Sequence, residues 1–175
     1  MPTKPLQVVC SWECAKDVAE NKRDRKEKKE LREAIKGLKS RNDYKAEAQQ
    51  EFNKFIRLRD AALPCVSCGR TEDQIENTYG GKWDCGHYLS RGSHPELAFE
   101  ELNAHKQCKK CNGGAGKYAK KNHTVTESYR AELILRIGLD KVEWLKSKHD
   151  PKHYSIEDLK SIKAEYKKKI KELGK

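Results

Sequence analysis

The sequence predicts an α+β chain, mostly helical, with a small cysteine-stapled core flanked by N- and C-terminal helices. Three observations point there. Apolar residues make up 35% of the 175 residues and charged residues 37%, too few apolar groups for one ordinary core along the whole length. Four of the seven cysteines form two C-x-x-C pairs, Cys65 with Cys68 and Cys108 with Cys111, a spacing that staples a small fold. Outside those pairs the apolar residues recur at helical intervals.

The elements follow in order. Residues 1–41 form a basic N-terminal segment. It opens irregularly, with Pro2 and Pro5, and carries Cys10 and Cys14; from residue 16 it becomes a charge run with Leu31, Ala34, Ile35 and Leu38 at helical spacing. That stripe is narrow, so the helix is solvated or faces a partner. Residues 42–64 are a helix leading into the core, with Ala48, Phe52, Phe55 and Ile56 on one face and Pro64 as its stop. Residues 65–122 hold the cysteines and histidines and end in a Gly- and Lys-rich loop over 113–122. Residues 123–175 are helical. One helix fits 126–137, closed by Gly138, and a shorter one fits 139–148 around Val142, Trp144 and Leu145. A last amphipathic helix carries Leu159, Ile162, Tyr166, Ile170 and Leu173. Ser155 with Asp158 resembles a capping box at its start, and its apolar stripe is expected against 126–145 or a second subunit.

Charge narrows the function classes. Lysine and arginine total 38 against 27 acidic residues, a net +11, and such a field favours an anionic partner. Nucleic acid leads. No apolar stretch approaches the length of a spanning helix, and Met1–Val9 lacks the pattern of a signal peptide. The expected location is therefore the cytoplasm, where a reducing environment argues against disulfides.

Four thiolates in two C-x-x-C corners suit tetrahedral Zn2+. That ion is closed and structural, because four sulfurs leave no open position for substrate. The 39 residues between the corners then hold a functional insert. It contains Trp83-Asp84-Cys85-Gly86-His87-Tyr88. A carboxylate such as Asp84 is a hard ligand for Mg2+, and a neutral imidazole such as His87 is a good base near pH 7. On a plain strand the two point to opposite sides; a bend at Gly86 lets them share a pocket. Asn112 directly follows the last cysteine, so zinc closure brings its amide oxygen toward Asp84. Cys85 has no partner at knuckle spacing and is read as a packing residue.

The order C-x-x-C, D-x-G-H, N-x-x-x-x-C-x-x-C-N resembles the ββα-metal or HNH nuclease motif. The Asp-x-x-His pair and the Asn after the last cysteine are similar to the phage recombination endonuclease VII family. A tighter resemblance, over about residues 43–173, is to the lambdoid phage NinG (Rap) recombination family. It rests on Phe55-Ile56-Arg57, Arg59-Asp60, Leu63-Pro64-Cys65, Gly86-His87-Tyr88, His105-Lys106-Gln107-Cys108, Tyr129-Arg130, Glu132-Leu133-Ile134 and Ile162-Lys163-Ala164-Glu165-Tyr166. The resemblance implies a structure-selective endonuclease on branched DNA, such as Holliday junctions, during phage recombination in the host cell. It implies Asp84 and Asn112 as ligands of a catalytic Mg2+ or Mn2+, His87 as the base, and Asn103 as the asparagine that braces the loop and orients His87. HNH motifs often end on a metal-binding histidine after the last cysteines. Here none appears before His123, so Asn112 serves or His123 reaches in. The family's N-terminal zinc ribbon is represented only by its second half, Cys10-Ser-Trp-Glu-Cys14.

Arg91, His105, Lys106, Lys109, Lys110, Lys117, Lys120 and Lys121 surround the site in sequence and are expected to contact phosphates without reading bases. His105 could instead back the metal site, and His94 is read as structural or exposed. Cutting both strands of a junction suggests a homodimer, and recombination proteins are further partners. Two rival functions remain open: a non-catalytic zinc module that binds DNA or recruits a recombinase, and an HNH nuclease on ordinary duplex.

Overall fold

In the computed structural model of the chain, residues 9–77, 80–114 and 123–174 are described. The chain divides into two units, Met1–Ser40 and Arg41–Lys175. The first is one long helix, α1 (Trp12–Gly37). It starts four residues before the expected charge run because Ser11 caps it, its side chain accepting from the Cys14 N–H. Exposed pairs such as Lys26 with Glu30 lie one turn apart along it. Leu31, Ile35 and Leu38 stay exposed.

The second unit is built around a two-stranded antiparallel hairpin, β1 (Trp83–His87) and β2 (Ala104–Cys108). Its register pairs Trp83 with Cys108, Asp84 with Gln107, Cys85 with Lys106, Gly86 with His105 and His87 with Ala104. Alternation then puts Cys85, His87 and Ala104 on one face and Asp84, Gly86, His105 and Gln107 on the other. The first face is covered by α2 (Arg41–Arg59) and α6 (Ile156–Leu173). There Phe52, Phe55, Ile56, Cys85, Ala104 and Tyr166 form one apolar cluster. The second face meets α4 (His123–Ile137), which packs with α5 (Leu139–Lys146) around Val66, Leu97, Tyr129, Leu133, Val142 and Leu145.

Several expectations are adjusted. The α2 helix ends at Arg59, before Pro64, because Asp60 leaves the helix to accept the Lys106 backbone N–H of β2. A short helix, α3 (Lys109–Gly114), includes Gly113 and Gly114, where the composition predicts a loop; it grows directly out of the second cysteine knuckle. The apolar stripe of α6 packs on α2 rather than on 126–145. The Ser155–Asp158 capping box is present, with reciprocal bonds of 3.1 and 2.8 Å. No helix among the described residues is long and apolar enough to cross a membrane.

Candidate metal centre

The two knuckles close on one point. The ligand sulfurs of Cys65, Cys68, Cys108 and Cys111 all lie within 4.8 Å of one another, so they are positioned to hold one metal ion, compatible with structural zinc. The first knuckle turns at Gly69, whose φ of +67° suits a residue without a side chain; the Gly69 N–H donates to the Cys65 carbonyl at 2.9 Å. The Cys108 N–H donates to the Cys65 sulfur at 3.3 Å, and the Val66 N–H bonds the Lys106 carbonyl, tying the knuckle to the free edge of β2. Burial, with the neighbouring Cys108 and Cys65 adding to it, pushes the Cys111 thiol far up. Thiolates packed this closely repel one another, and a bound cation would offset that repulsion.

Beside this clamp, Asn112 Nδ2 donates to Asp84 Oδ2 at 3.0 Å. Asp84 comes from β1 and Asn112 from α3, one residue beyond the clamp. Both side chains are half-buried. The contact is amide nitrogen to carboxylate oxygen, and it sets the two side chains side by side, one residue from the clamp.

His87 is not brought to that pair. The strand stays regular through Gly86, so no bend turns His87 toward Asp84, and its ring lies on the α2 face, 5.9 Å from the Phe52 ring centroid. Its Nε2 donates to the Ala98 carbonyl at 3.2 Å. Burial lowers its pKa to about 4, against a small opposing effect of that hydrogen bond, so the ring is neutral at pH 7. Asn103 is fully buried. Its side chain accepts from the Leu89 N–H at 2.8 Å and donates to the carbonyls of Leu89 and Leu97 at 3.0 and 3.2 Å. It braces the loop after β1, and reaches His87 only through Leu97, the neighbour of Ala98.

Two expected phosphate contacts are corrected. His105 and Lys106 are each only 4% exposed, because the end of α2, Trp83 and Tyr129 pack over them. Lys106 Nζ donates to the Ala61 carbonyl at 2.8 Å and sits 4.2 Å from the centre of the Trp83 ring. His105 Nδ1 lies 3.5 Å from Asp60 Oδ2 and 3.1 Å from an Arg59 nitrogen. Burial would push the Asp60 carboxyl up, but hydrogen bonds from His105 and Arg59 and the Arg59 charge hold it well below the usual range. Arg59 and Asp60, which carry part of the resemblance, dock α2 onto β2: Arg59 donates to the Ala104 carbonyl and Asp60 accepts from the Lys106 N–H, and a charged pair at the end of an apolar helix is the signal in the sequence. Arg91 and Lys110 are exposed, and Lys109 is half-buried. His94 is paired with Glu96 at 3.1 Å. Lys117, Lys120, Lys121 and the side chain of His123 lie outside the described residues. Cys85 is buried in the apolar cluster, its thiol raised to about 12 by burial, as suits a packing residue.

Comparison with known proteins agrees with the resemblance to NinG. A family described as Bacteriophage Lambda NinG protein matches residues 1–175. Protein ninG of Escherichia phage lambda is 43% identical over 136 residues, which is 78% of this chain and 60% of that protein. Protein ninG of Salmonella phage P22 is 41% identical over the same shares, and that of Escherichia phage 933W is 40% identical, over 78% of this chain and 61% of that protein. The chain therefore spans about 60% of the length of the curated relatives it matches. No solved structure matches it.

Proposed function

The chain belongs to the NinG protein family of lambdoid bacteriophages, and from that premise we propose that it is a metal-dependent HNH-type endonuclease that hydrolyses phosphodiester bonds in branched DNA during phage recombination. The single observation that carries the reading is the Asp84–Asn112 pair at 3.0 Å, held against a four-cysteine clamp. Zinc in the clamp supplies rigidity and no chemistry. Asp84 and Asn112 would hold Mg2+ or Mn2+, which when bound offsets charge on the scissile phosphate and the departing 3′ oxygen. With Nε2 donating to the Ala98 carbonyl, the neutral His87 ring carries its lone pair on Nδ1, and through it would take a proton from the attacking water. With His87 and Asp84 on opposite faces, the phosphate has to lie across the His87 end of the hairpin to meet both. Exposed Arg91 and Lys110 would position the backbone, and binding would weaken steeply with salt.

The placement of His87 away from Asp84 favours a second reading, a non-catalytic zinc module that binds DNA. One assay separates them: purified protein with Mg2+ or Mn2+ and labelled linear duplex, flap and four-way junction. Preferential cutting of junction or flap, lost in His87→Ala and in Asp84→Asn with zinc content unchanged, is the expected result. Equal cutting of all three substrates points to a general duplex nuclease. Binding without cutting leaves the module.

A further inference from the structure

A cleft of about 340 Å3 opens where the end of α2 meets the start of the hairpin. Arg57 from the last turn of α2, Trp83 from β1 and Lys106 from β2 line it, together with Ala61, Glu72 and Lys82. Trp83 and Lys106 share the strand face of Cys85, so the cleft lies on the side of the hairpin away from Asp84.

Its charges do not balance. Lys82 Nζ donates to the Glu72 carbonyl at 2.8 Å and lies 3.3 Å from the Glu72 carboxylate, so that carboxylate is already matched. Two cations are left. Arg57 is half-buried and, among the described residues, has neither a hydrogen bond nor an ion pair. Lys106, 4% exposed, donates to the Ala61 carbonyl at 2.8 Å and has no carboxylate at ion-pair distance among the described residues. The nearby Asp60 is taken by Arg59 at 2.7 Å. Buried charges are ordinarily paired, and here the lining offers only donors. Burial lowers the Lys106 pKa, against the opposing pull of the Glu72 and Asp60 charges; an anion in the cleft would act in the same sense as those carboxylates.

The shape narrows the anion. Lys106 is too deep for a phosphate on the outside of a duplex, but it lines this recess. A phosphate inside an intact strand would have to bring both flanking sugars with it, whereas a terminal phosphate enters end-on. A terminal phosphate also carries nearly two negative charges, which match the two unpaired cations. We propose that this cleft binds the terminal phosphate of a nucleic-acid strand, with the Arg57 guanidinium gripping two of its oxygens and Lys106 closing on it from below. The inference rests only on nucleic-acid binding, which both readings of the function share, and not on cutting.

The test is fluorescence anisotropy of the zinc-loaded full chain, without Mg2+ or Mn2+, against one labelled single strand in three forms: 5′-phosphorylated, 3′-phosphorylated and unphosphorylated. A phosphorylated form should bind about tenfold more tightly than the unphosphorylated one, the worth of one charge-assisted hydrogen bond. Arg57→Gln should abolish that preference with zinc content unchanged. Lys54→Gln, which removes the same charge from an exposed position of α2, should weaken all three forms alike and keep the preference. Equal binding of the three forms, or a preference that survives Arg57→Gln, overturns the proposal. If inorganic phosphate displaces the phosphorylated strand at equal concentration, the cleft is a free-phosphate site and the strand-end assignment falls. If no strand binds at all, the nucleic-acid reading itself fails and takes this inference with it. Should Arg57→Gln lose its zinc, Lys82→Gln decides, and an unchanged preference there overturns the proposal.

Discussion

At the scale of single residues, the environment decides what each group in the hairpin can do. His87 shows this through pH. Its folded pKa, about 4, lies below the ordinary value of 6.5 because burial disfavours the charged ring. The unfolded chain therefore binds the proton more readily, so the stability His87 contributes is complete above about pH 6.5 and is lost as pH falls toward 4. Between pH 7 and pH 5 that loss is on the order of 2 kcal/mol. Urea melts at both values should show His87→Gln losing less stability on acidification than the unaltered chain; equal losses would refute the burial argument. Gly86 is a second case. A methyl group there meets Gln107 carbons at 2.9 Å, so Gly86→Ala should cost about 1–3 kcal/mol, as overpacking does, in a thermal melt. Asn103 is a third. Removing its amide strands the Leu89 N–H and the Leu97 carbonyl inside the loop, and Asn103→Ala should destabilise by about 3 kcal/mol, with the 88–98 amides losing hydrogen-exchange protection first.

At the scale of elements, the helices owe their positions to the faces they bury rather than to their own propensities. Tyr166 of α6 sits edge-on to Phe52 of α2 at 4.9 Å between ring centroids, and its hydroxyl donates to the Phe99 carbonyl at 3.2 Å. One side chain thus joins α6, α2 and the loop before β2. The start of α6 depends on its capping box, so Ser155→Ala should cost about 1 kcal/mol, measured by denaturant titration. Both the box and the α6 stripe are visible in the sequence, as local patterns are. The partner of that stripe is not: Leu159, Ile162 and Tyr166 fit any apolar surface, and only chain connectivity selects α2. The end of α2 is equally hidden, since it is set by Asp60 bonding a strand 46 residues away.

At the scale of the whole molecule, a strongly charged chain with little apolar surface leans on its cysteine clamp. Hydrophobic clusters line both faces of the hairpin, but the hairpin is only two strands of five residues, marginal without further support. Removing metal with a chelator, or substituting Cys108→Ser, should therefore unfold the hairpin and α3. The expected readouts are loss of bound zinc and a lowered melting temperature, reversed by added zinc for the unaltered chain only.

The sequence by itself determined the clamp, the helix-rich α+β class, the basic character and the closeness of Asn112 to Asp84. Each follows from local spacing: C-x-x-C closes on one ion whatever the surroundings, and the residue after the last cysteine must land beside it. Tertiary structure alone decided which side of the hairpin each group faces. It turned His87 toward Phe52, buried Lys106 against Trp83, and set His105 beside Asp60 and Arg59. The reason is the two-residue period of a strand: a bend at Gly86 would have reversed the side on which His87 lies, and whether the strand bends depends on α2 and α4 packing against it, contacts that no local spacing encodes.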